Sequence, residues 1–242
     1  MNKHIQNFRL CLSFLTRFCP GPIMDRADFS KTLVWFVPCG LLLGLVLCLP
    51  IWLLPDIPPL ALAWMVVMLE IYLTRGLHWD GWGDLWDGWG SNARGEEFWR
   101  ILKDSRTGVF AVLAITSGIG GEIVLLSAAD ARWTSVVWAM LLGRLVPVIQ
   151  AFFSRELGRP GLGSSFLSGA GMGVLAFSII FVLLAGIFLV GPFAVLISAT
   201  LLTLITYKLH TSAKSQEGLN GDFLGAGIIA GQLAGFLSFV LA

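Results

Sequence analysis

Charged residues are scarce in this sequence, at 13% of 242 residues, whereas 56% of the residues are hydrophobic. Soluble globular domains carry about 25% charged residues, so the composition excludes an ordinary soluble domain. A net charge of +1 leaves no basic excess with which to bind nucleic acid. The four cysteines lack the spacing of a metal site or of a disulfide framework, and we interpret them as reduced side chains.

Long apolar runs dominate instead, and about seven of them are long enough to cross a bilayer core of about 30 Å as helices. These runs are apolar on every side, without the alternation of a transmembrane barrel. The sequence therefore predicts an all-α, polytopic integral membrane helix bundle that forms one membrane-embedded domain over residues 1–242. The predicted spans are residues 33–54, 58–74, 108–128, 133–153, 171–190, 192–208 and 223–241.

Basic residues are concentrated on one side of the predicted spans. Fourteen of the sixteen Lys and Arg residues lie in residues 1–32, in residues 75–107 or at the span ends on that same side. The positive-inside rule makes this side cytoplasmic. We expect an integral protein of a bacterial or archaeal cytoplasmic (inner) membrane. Residues 2–17 read as an amphipathic helix on the cytoplasmic surface of the bilayer, with a disordered tail as the alternative.

The segment 75–107 contains an unusual cluster of aspartates among tryptophans and glycines. If the segment is helical, Asp80, Asp84 and Asp87 share an arc of roughly 60° on one face. Ionised carboxylates about 5 Å apart repel one another by several kcal/mol at an effective dielectric near 20. Mg²⁺ would relieve this repulsion, because it binds one or two carboxylates together with substrate phosphates. The alternative is a solvated acidic loop with interfacial tryptophans.

Other polar residues flank this cluster and are candidates for substrate contact. His78 has the chemistry of a ligand, an acid or a phosphate donor, or that of an ordinary hydrogen-bond partner. Lys103 and Arg106 flank Asp104 at the start of the third span. Arg grips phosphate through two parallel hydrogen bonds, so these residues have the composition of an anion clamp. The alternative is the usual basic flank of a membrane span.

One arginine lies in the middle of a predicted span. Arg144 is costly there unless it faces a polar cavity or a partner such as Glu122. Structural pairing and substrate contact both remain open for it. Glu70, Glu122 and Arg144 within spans would also suit an ion-coupled transporter, but the sequence shows no inverted repeat, and its acidic residues concentrate at one edge.

Five short motifs occur in a fixed order over nearly the whole chain, and with them the sequence resembles the cobalamin synthase family. The pairing of His-x-Asp-Gly with Asp-x-x-Asp-Gly is the most specific of them. The motifs are Phe14-Leu15-Thr16-Arg17, His78-x-Asp80-Gly81 with Asp84-x-x-Asp87-Gly88, Asp104-Ser105-Arg106-x-Gly108, Arg159-Pro160-Gly161-Leu162-Gly163 and Gly221-Asp222-Phe223-Leu224-Gly225-Ala226.

The resemblance implies a Mg²⁺-dependent membrane transferase of the last steps of cobalamin biosynthesis. Such an enzyme joins adenosylcobinamide-GDP to alpha-ribazole or its 5′-phosphate, releases GMP and forms adenosylcobalamin or its 5′-phosphate. The resemblance leaves the oligomeric state open. It implies that the three clustered carboxylates hold the metal, that one of them or Asp222 accepts the hydroxyl proton, and that His78 contributes to catalysis. The implied substrate-binding residues are Lys103, Asp104, Arg106, Arg144 and Gly221.

Two further sequence features bear on this resemblance: one concerns a second enzyme family with a similar motif, and the other is a departure from the cobalamin synthase pattern. CDP-alcohol phosphotransferases of phospholipid synthesis also use Asp-x-x-Asp-Gly, but they continue with Ala-Arg and a second Asp pair. Here Trp89-Gly90-Ser91-Asn92 follows, which makes a phospholipid synthase the weaker enzyme interpretation. Before the last span, the cobalamin synthase family often has Gly-Gly-x-Thr-Gly-Asp. Here Asn220 stands in place of the threonine, so the positioning of Asp222 is left open.

Overall fold

The computed structural model describes residues 2–19, 26–130 and 132–242, and helices dominate these residues. No strand occurs within these ranges, which confirms the predicted all-α class. The α-helices are α1 (Lys3–Leu15), α2 (Phe36–Leu47), α3 (Leu49–Leu53), α4 (Pro59–Thr74), α5 (Leu77–Gly90), α6 (Glu96–Leu102), α7 (Val109–Ala128), α8 (Trp133–Phe153), α9 (Leu162–Leu167), α10 (Met172–Leu189), α11 (Gly191–Ser215) and α12 (Gly221–Leu241), and 3₁₀ helices cover Arg26–Trp35 and Arg155–Leu157.

Six helical stretches in the described part of the chain are long and apolar enough to cross a membrane, namely Phe29–Leu53, α7, α8, α10, α11 and α12. Helices α4 and α5 together make a seventh candidate, bent by 91° between its two halves. The prediction of about seven spans is therefore confirmed. The bend falls at Arg75 and Gly76, whose φ angles of 60° and 66° place both residues in the left-handed region that ends an α-helix.

Helices α8 and α12 form the centre of the bundle, because 83% and 67% of their membrane-spanning windows are buried. Only 22% is buried in α10 and in α11, which therefore lie at the periphery. Small residues mark the crossing of the two central helices: a Cβ at Gly231 would lie 2.9 Å from Cα of Gly143. Small residues allow close helix packing in a bilayer, where no hydrophobic force drives helices together.

The predicted N-terminal helix is present as α1, and two arginines attach its end to the end of α4. Arg17 donates from Nε to the carbonyl oxygen of Tyr72 at 2.7 Å. Arg75 donates from Nη2 to the carbonyl oxygens of Ser13 at 3.1 Å and Phe14 at 2.7 Å. These bonds place the C-terminal end of α1 beside the start of α5. The position of α1 on a membrane surface stays a prediction.

Candidate active site

The acidic segment forms one continuous helix, α5, and this helix packs closely against the start of α12. A Cβ at Gly81 would lie 2.9 Å from Cα of Asp222, so only glycine permits this approach of the two backbones. The approach brings Asp222 to the face of α5 that carries Asp80 and Asp84. Carboxylates that are far apart in the sequence thus converge at one end of the bundle.

Like charges surround the half-buried Asp84. The carboxylates of Asp222, Asp80 and Asp87 all act on it electrostatically, and all three repel its negative charge. The helical course of α5 thus keeps the three aspartates near one another, and α12 adds a fourth acidic group. Repulsion of this kind favours the binding of a cation among the carboxylates.

Asn220 determines the position of Asp222. Its side-chain oxygen accepts hydrogen bonds from the backbone N–H groups of Asp222 at 3.2 Å and Phe223 at 3.4 Å, which caps α12. Its amide nitrogen donates to Oδ2 of Asp222 at 2.6 Å. The departure from the usual family sequence therefore still provides a helix cap, and it also holds the carboxylate directly.

Asp87 has a partner that its sequence position did not indicate. Its Oδ2 accepts a hydrogen bond from the N–H of Gly108 at 2.7 Å, and its Oδ1 accepts one from the N–H of Ala111 at 2.8 Å. The carboxylate thus occupies the N-terminus of α7, where the helix dipole favours negative charge. Since both oxygens have these bonds, Asp87 is the least available of the predicted metal ligands, and its role at a metal stays a prediction.

A cavity of about 230 Å³ lies beside the carboxylates. Four of the predicted site residues line it: His78, Asp80, Gly221 and Asp222. His78 is buried, and its Nε2 has no hydrogen-bond partner within the described chain. Aromatic and aliphatic side chains from α1, α2, α5, α9 and α12 complete the lining.

The predicted anion clamp lies outside this cavity. Lys103, Asp104 and Arg106 are exposed, and the Arg106 guanidinium binds Asp104, with Nη2 to Oδ2 at 2.7 Å and Nε to Oδ1 at 3.0 Å. Hydrogen bonds from Arg106 hold the pKa of Asp104 at about 2, so this carboxylate stays ionised at neutral pH. Arg106 is thus already engaged, and the binding of substrate phosphate by these residues stays a prediction.

Arg144 is fully buried inside the bundle and is absent from the lining of the cavity. Its Nη1 contacts Sδ of Met140 at 3.3 Å, and its charge interacts with those of Glu70 and Glu122. Gln232 donates to Glu70 Oε1 at 3.2 Å and belongs to the same polar group. Nη2 of Arg144 and Oε1 of Glu122 both lack a hydrogen-bond partner within the described residues. The pairing of Arg144 with Glu122 and the contact of Arg144 with substrate therefore both stay predictions.

The carboxylates fit a hard cation by their chemistry, although they do not form a complete cage. Within the described residues, no three His, Cys, Asp or Glu side chains are grouped closely enough to hold a metal ion on their own. The side chains of Asp80 and Asp84 have no hydrogen bond from the described chain and so remain available. Mg²⁺ is commonly bound by one or two carboxylates together with water and substrate phosphate, which is the set that these residues offer.

The fold and this site define a polytopic helical membrane enzyme, and comparison with known proteins gives the family. A family profile described as cobalamin-5-phosphate synthase matches residues 7–240. The chain belongs to this family, as its motifs predicted. No solved structure matches the chain.

Curated relatives cover nearly the whole chain, and the three described here are named adenosylcobinamide-GDP ribazoletransferase. The protein of Nitratidesulfovibrio vulgaris (strain DSM 19637 / Miyazaki F) is 40% identical over 236 residues, which are 96% of this chain and 94% of the relative. The Acetivibrio thermocellus protein is 33% identical, over 93% of both chains. The Halalkalibacterium halodurans protein is 30% identical, over 96% of this chain and 94% of the relative.

Several residues of the site were not predicted from the sequence. Phe14 and Leu162 line the cavity, and both lie in motifs that served only to identify the family. Phe36 and Phe166 also line it, but no local pattern marked them. Asn220 is a departure from the usual family sequence, but its hydrogen bond to Asp222 was not predicted. The preference of Asn for helix N-caps was the signal that could have identified its role.

Proposed function

We propose that this protein joins adenosylcobinamide-GDP to alpha-ribazole or alpha-ribazole 5′-phosphate and releases GMP. Membership of the family over residues 7–240 and the names of the curated relatives support this activity. The observation that carries the proposal is the convergence of Asp80, Asp84 and Asp222 beside a cavity at one end of the bundle. A phospholipid synthase and a transporter have no comparable support.

The proposed reaction is a transfer of the cobinamide phosphate group to the ribose 3′-hydroxyl. The hydroxyl oxygen forms a bond to the phosphorus atom next to the cobinamide arm, the bond from that phosphorus to GMP breaks, and GMP leaves with its electron pair. The hydroxyl proton passes to Asp222 or to Asp80, which both line the cavity. Such reactions depend mainly on positioning and on neutralisation of phosphoryl charge.

We further propose that Mg²⁺ takes part, with Asp80 and Asp84 as its protein ligands and Asp222 beside them. When bound, the ion would neutralise negative charge on the diphosphate. The support is the like-charge repulsion at Asp84 and the absence of hydrogen bonds from the described chain to the two proposed ligands. The site would face the cytoplasm, because fourteen of the sixteen basic residues lie on its side of the predicted spans.

The test is release of GMP by purified protein in detergent, supplied with adenosylcobinamide-GDP, alpha-ribazole and Mg²⁺. Asp84→Asn is expected to lower the rate by at least about 100-fold, the usual effect of removing an electrostatic contributor to the transition state. It should leave thermal unfolding unchanged or raise its midpoint, because the lost charge is one that its neighbours repel. The matched control is Asp130→Asn, an exposed aspartate with φ of 51°, a conformation that Asn tolerates well.

Each outcome bears on a separate part of the proposal. Wild-type protein that releases no GMP would contradict the activity. An active Asp84→Asn variant would contradict the assignment of the site but leave the activity intact. Full activity after exhaustive treatment with a chelator would remove Mg²⁺ from the proposal, whereas loss of activity that added Mg²⁺ restores would support it.

A further inference from the structure

The cavity beside the carboxylates is small for the substrates of the proposed reaction. Pockets for drug-sized ligands occupy about 300–1,000 Å³, whereas this cavity has a volume of about 230 Å³. A corrin macrocycle with its amide side chains is far too large to enter it. The volume suits a single bicyclic aromatic ring, and the base of alpha-ribazole is such a ring, a dimethylbenzimidazole.

The walls of the cavity are aromatic on one side. Phe166 is central to this wall, with ring centroids 5.0 Å from Phe14 and 5.4 Å from Phe36. All three rings line the cavity, and they come from α9, α1 and α2. Aromatic rings favour offset-stacked or edge-to-face contacts with another aromatic ring, in addition to the gain from burying its apolar surface.

Polar side chains also line the cavity, namely His78, Asp80 and Asp222. Carboxylates accept hydrogen bonds from hydroxyl groups. A nucleoside with an apolar base has the same combination of surfaces, since its ring is apolar and its sugar carries hydroxyl groups.

We propose that this cavity binds the benzimidazole base of alpha-ribazole against Phe14, Phe36 and Phe166, with the ribose directed towards His78, Asp80 and Asp222. The inference rests on the proposed function and adds to it the position of the nucleophilic substrate. It places the ribose hydroxyls beside the carboxylates that are candidates for proton acceptor. The corrinoid substrate must then approach from outside the cavity.

Gly221 offers a direct way to test this assignment. It lines the cavity, and a Cβ added there would meet no atom within 4 Å. The first atom of a side chain at this position therefore meets no other part of the protein. Gly173 is the matched control: it also lies in the first turn of a long apolar helix, a Cβ there also meets nothing within 4 Å, and it is remote from the cavity lining.

The first measurement is binding of labelled alpha-ribazole to the full-length protein by equilibrium dialysis, without the second substrate. Gly221→Leu is expected to weaken binding by at least about tenfold, because the leucine side chain would take up space that the nucleoside occupies. In turnover, the KM for alpha-ribazole should rise by a similar factor, while the KM for adenosylcobinamide-GDP stays close to that of the wild type. Gly173→Leu should match the wild type in both measurements.

A second variant tests occupancy of the cavity rather than general damage. Gly221→Ala adds one methyl group next to Asp222, towards which the proposal directs the ribose, so it should weaken the binding of alpha-ribazole more than that of free dimethylbenzimidazole. A merely structural role of Gly221 would affect both ligands equally. The ratio of the two dissociation constants therefore reports the placement of the sugar in the cavity.

The outcomes separate this inference from the proposed function. Unchanged alpha-ribazole affinity in Gly221→Leu would overturn the inference, as would a rise confined to the KM for adenosylcobinamide-GDP. Wild-type protein that binds alpha-ribazole in this cavity but releases no GMP would contradict the proposed function and support the subsite. Wild-type protein that releases GMP while both Gly221 variants behave normally would support the function and contradict the subsite.

Discussion

At the residue scale, the side chain of Asn220 has two roles: it caps α12 and it holds the carboxylate of Asp222. Its oxygen caps α12 by accepting from backbone N–H groups, and its nitrogen donates to Oδ2 of Asp222. An amide has both an acceptor and a donor, whereas a carboxylate has only acceptors. The stability of α12 and the orientation of the Asp222 carboxylate therefore depend on opposite ends of one side chain.

Substitutions of Asn220 should separate these tasks. Asn220→Ser keeps a cap acceptor but loses the amide that donates to Asp222, so thermal unfolding should change little while the GMP release rate falls. Asn220→Ala loses both, and the loss of the cap should cost about 1 kcal/mol of unfolding free energy. The measurements are unfolding in detergent and initial rates of GMP release. An Asn220→Ser variant with normal turnover would show that the bond to Asp222 is dispensable.

The carboxylate of Asp87 acts at the scale of a helix, because it joins α5 to the first turn of α7. Its two bonds satisfy N–H groups that α7 itself leaves without partners. Asp87→Ala is expected to lower the unfolding free energy by about 1–2 kcal/mol. Asp87→Asn should lie between Asp87→Ala and the wild type, because an amide keeps one of the two acceptors.

Asp84 supplies the comparison for this prediction, since its carboxylate has no backbone N–H to accept from in the described chain. Asp84→Ala should therefore leave the unfolding midpoint in detergent near that of the wild type. Equal destabilisation by Asp87→Ala and Asp84→Ala would show that the cap on α7 contributes little to stability.

The attachment of α1 to the end of α4 is a second feature at the element scale. Arg75 holds two carbonyl oxygens at the end of α1 although its own backbone has a φ of 60°. A left-handed backbone is unfavourable for most residues other than glycine. The backbone strain at Arg75 is therefore offset by the contact that its side chain makes with α1.

Arg75→Gly should loosen the attachment of α1, which Arg17 then holds alone, without disturbing the turn between α4 and α5. Glycine accepts the left-handed backbone, so the variant removes only the guanidinium bonds. We expect faster tryptic cleavage within the N-terminal segment and a higher KM for alpha-ribazole, because Phe14 forms part of the cavity. Asn92→Gly, at another exposed position with φ of 55°, is the control and should change neither. Unaltered cleavage in Arg75→Gly would contradict the attachment.

At the scale of the whole molecule, the sequence predicts the helices whose length the bilayer sets. It does not predict the contacts that residues from distant segments form together. Span length and apolarity are fixed by membrane thickness, so α7, α8 and α12 were predictable. The shared face of Asp80 and Asp84 follows from helical spacing alone. The aromatic wall around Phe166 was not predictable, since its rings come from three separate helices, and neither was the use of both Asp87 oxygens by α7.

The last prediction concerns the orientation of the whole molecule. The site end carries nearly all of the basic residues, and α7 leads from that end to the opposite side. Ser91 is exposed near the site, and Asp56 is exposed in the connection between α3 and α4 at the opposite end.

Single cysteines at these positions can be compared after the native Cys11, Cys19, Cys39 and Cys48 are replaced by alanine. An impermeant maleimide should label Asp56→Cys in intact cells and Ser91→Cys only after the membrane is opened, because the positive-inside rule predicts that the basic end faces the cytoplasm. The reverse labelling would place the carboxylates outside and would separate them from a cytoplasmic nucleotide substrate.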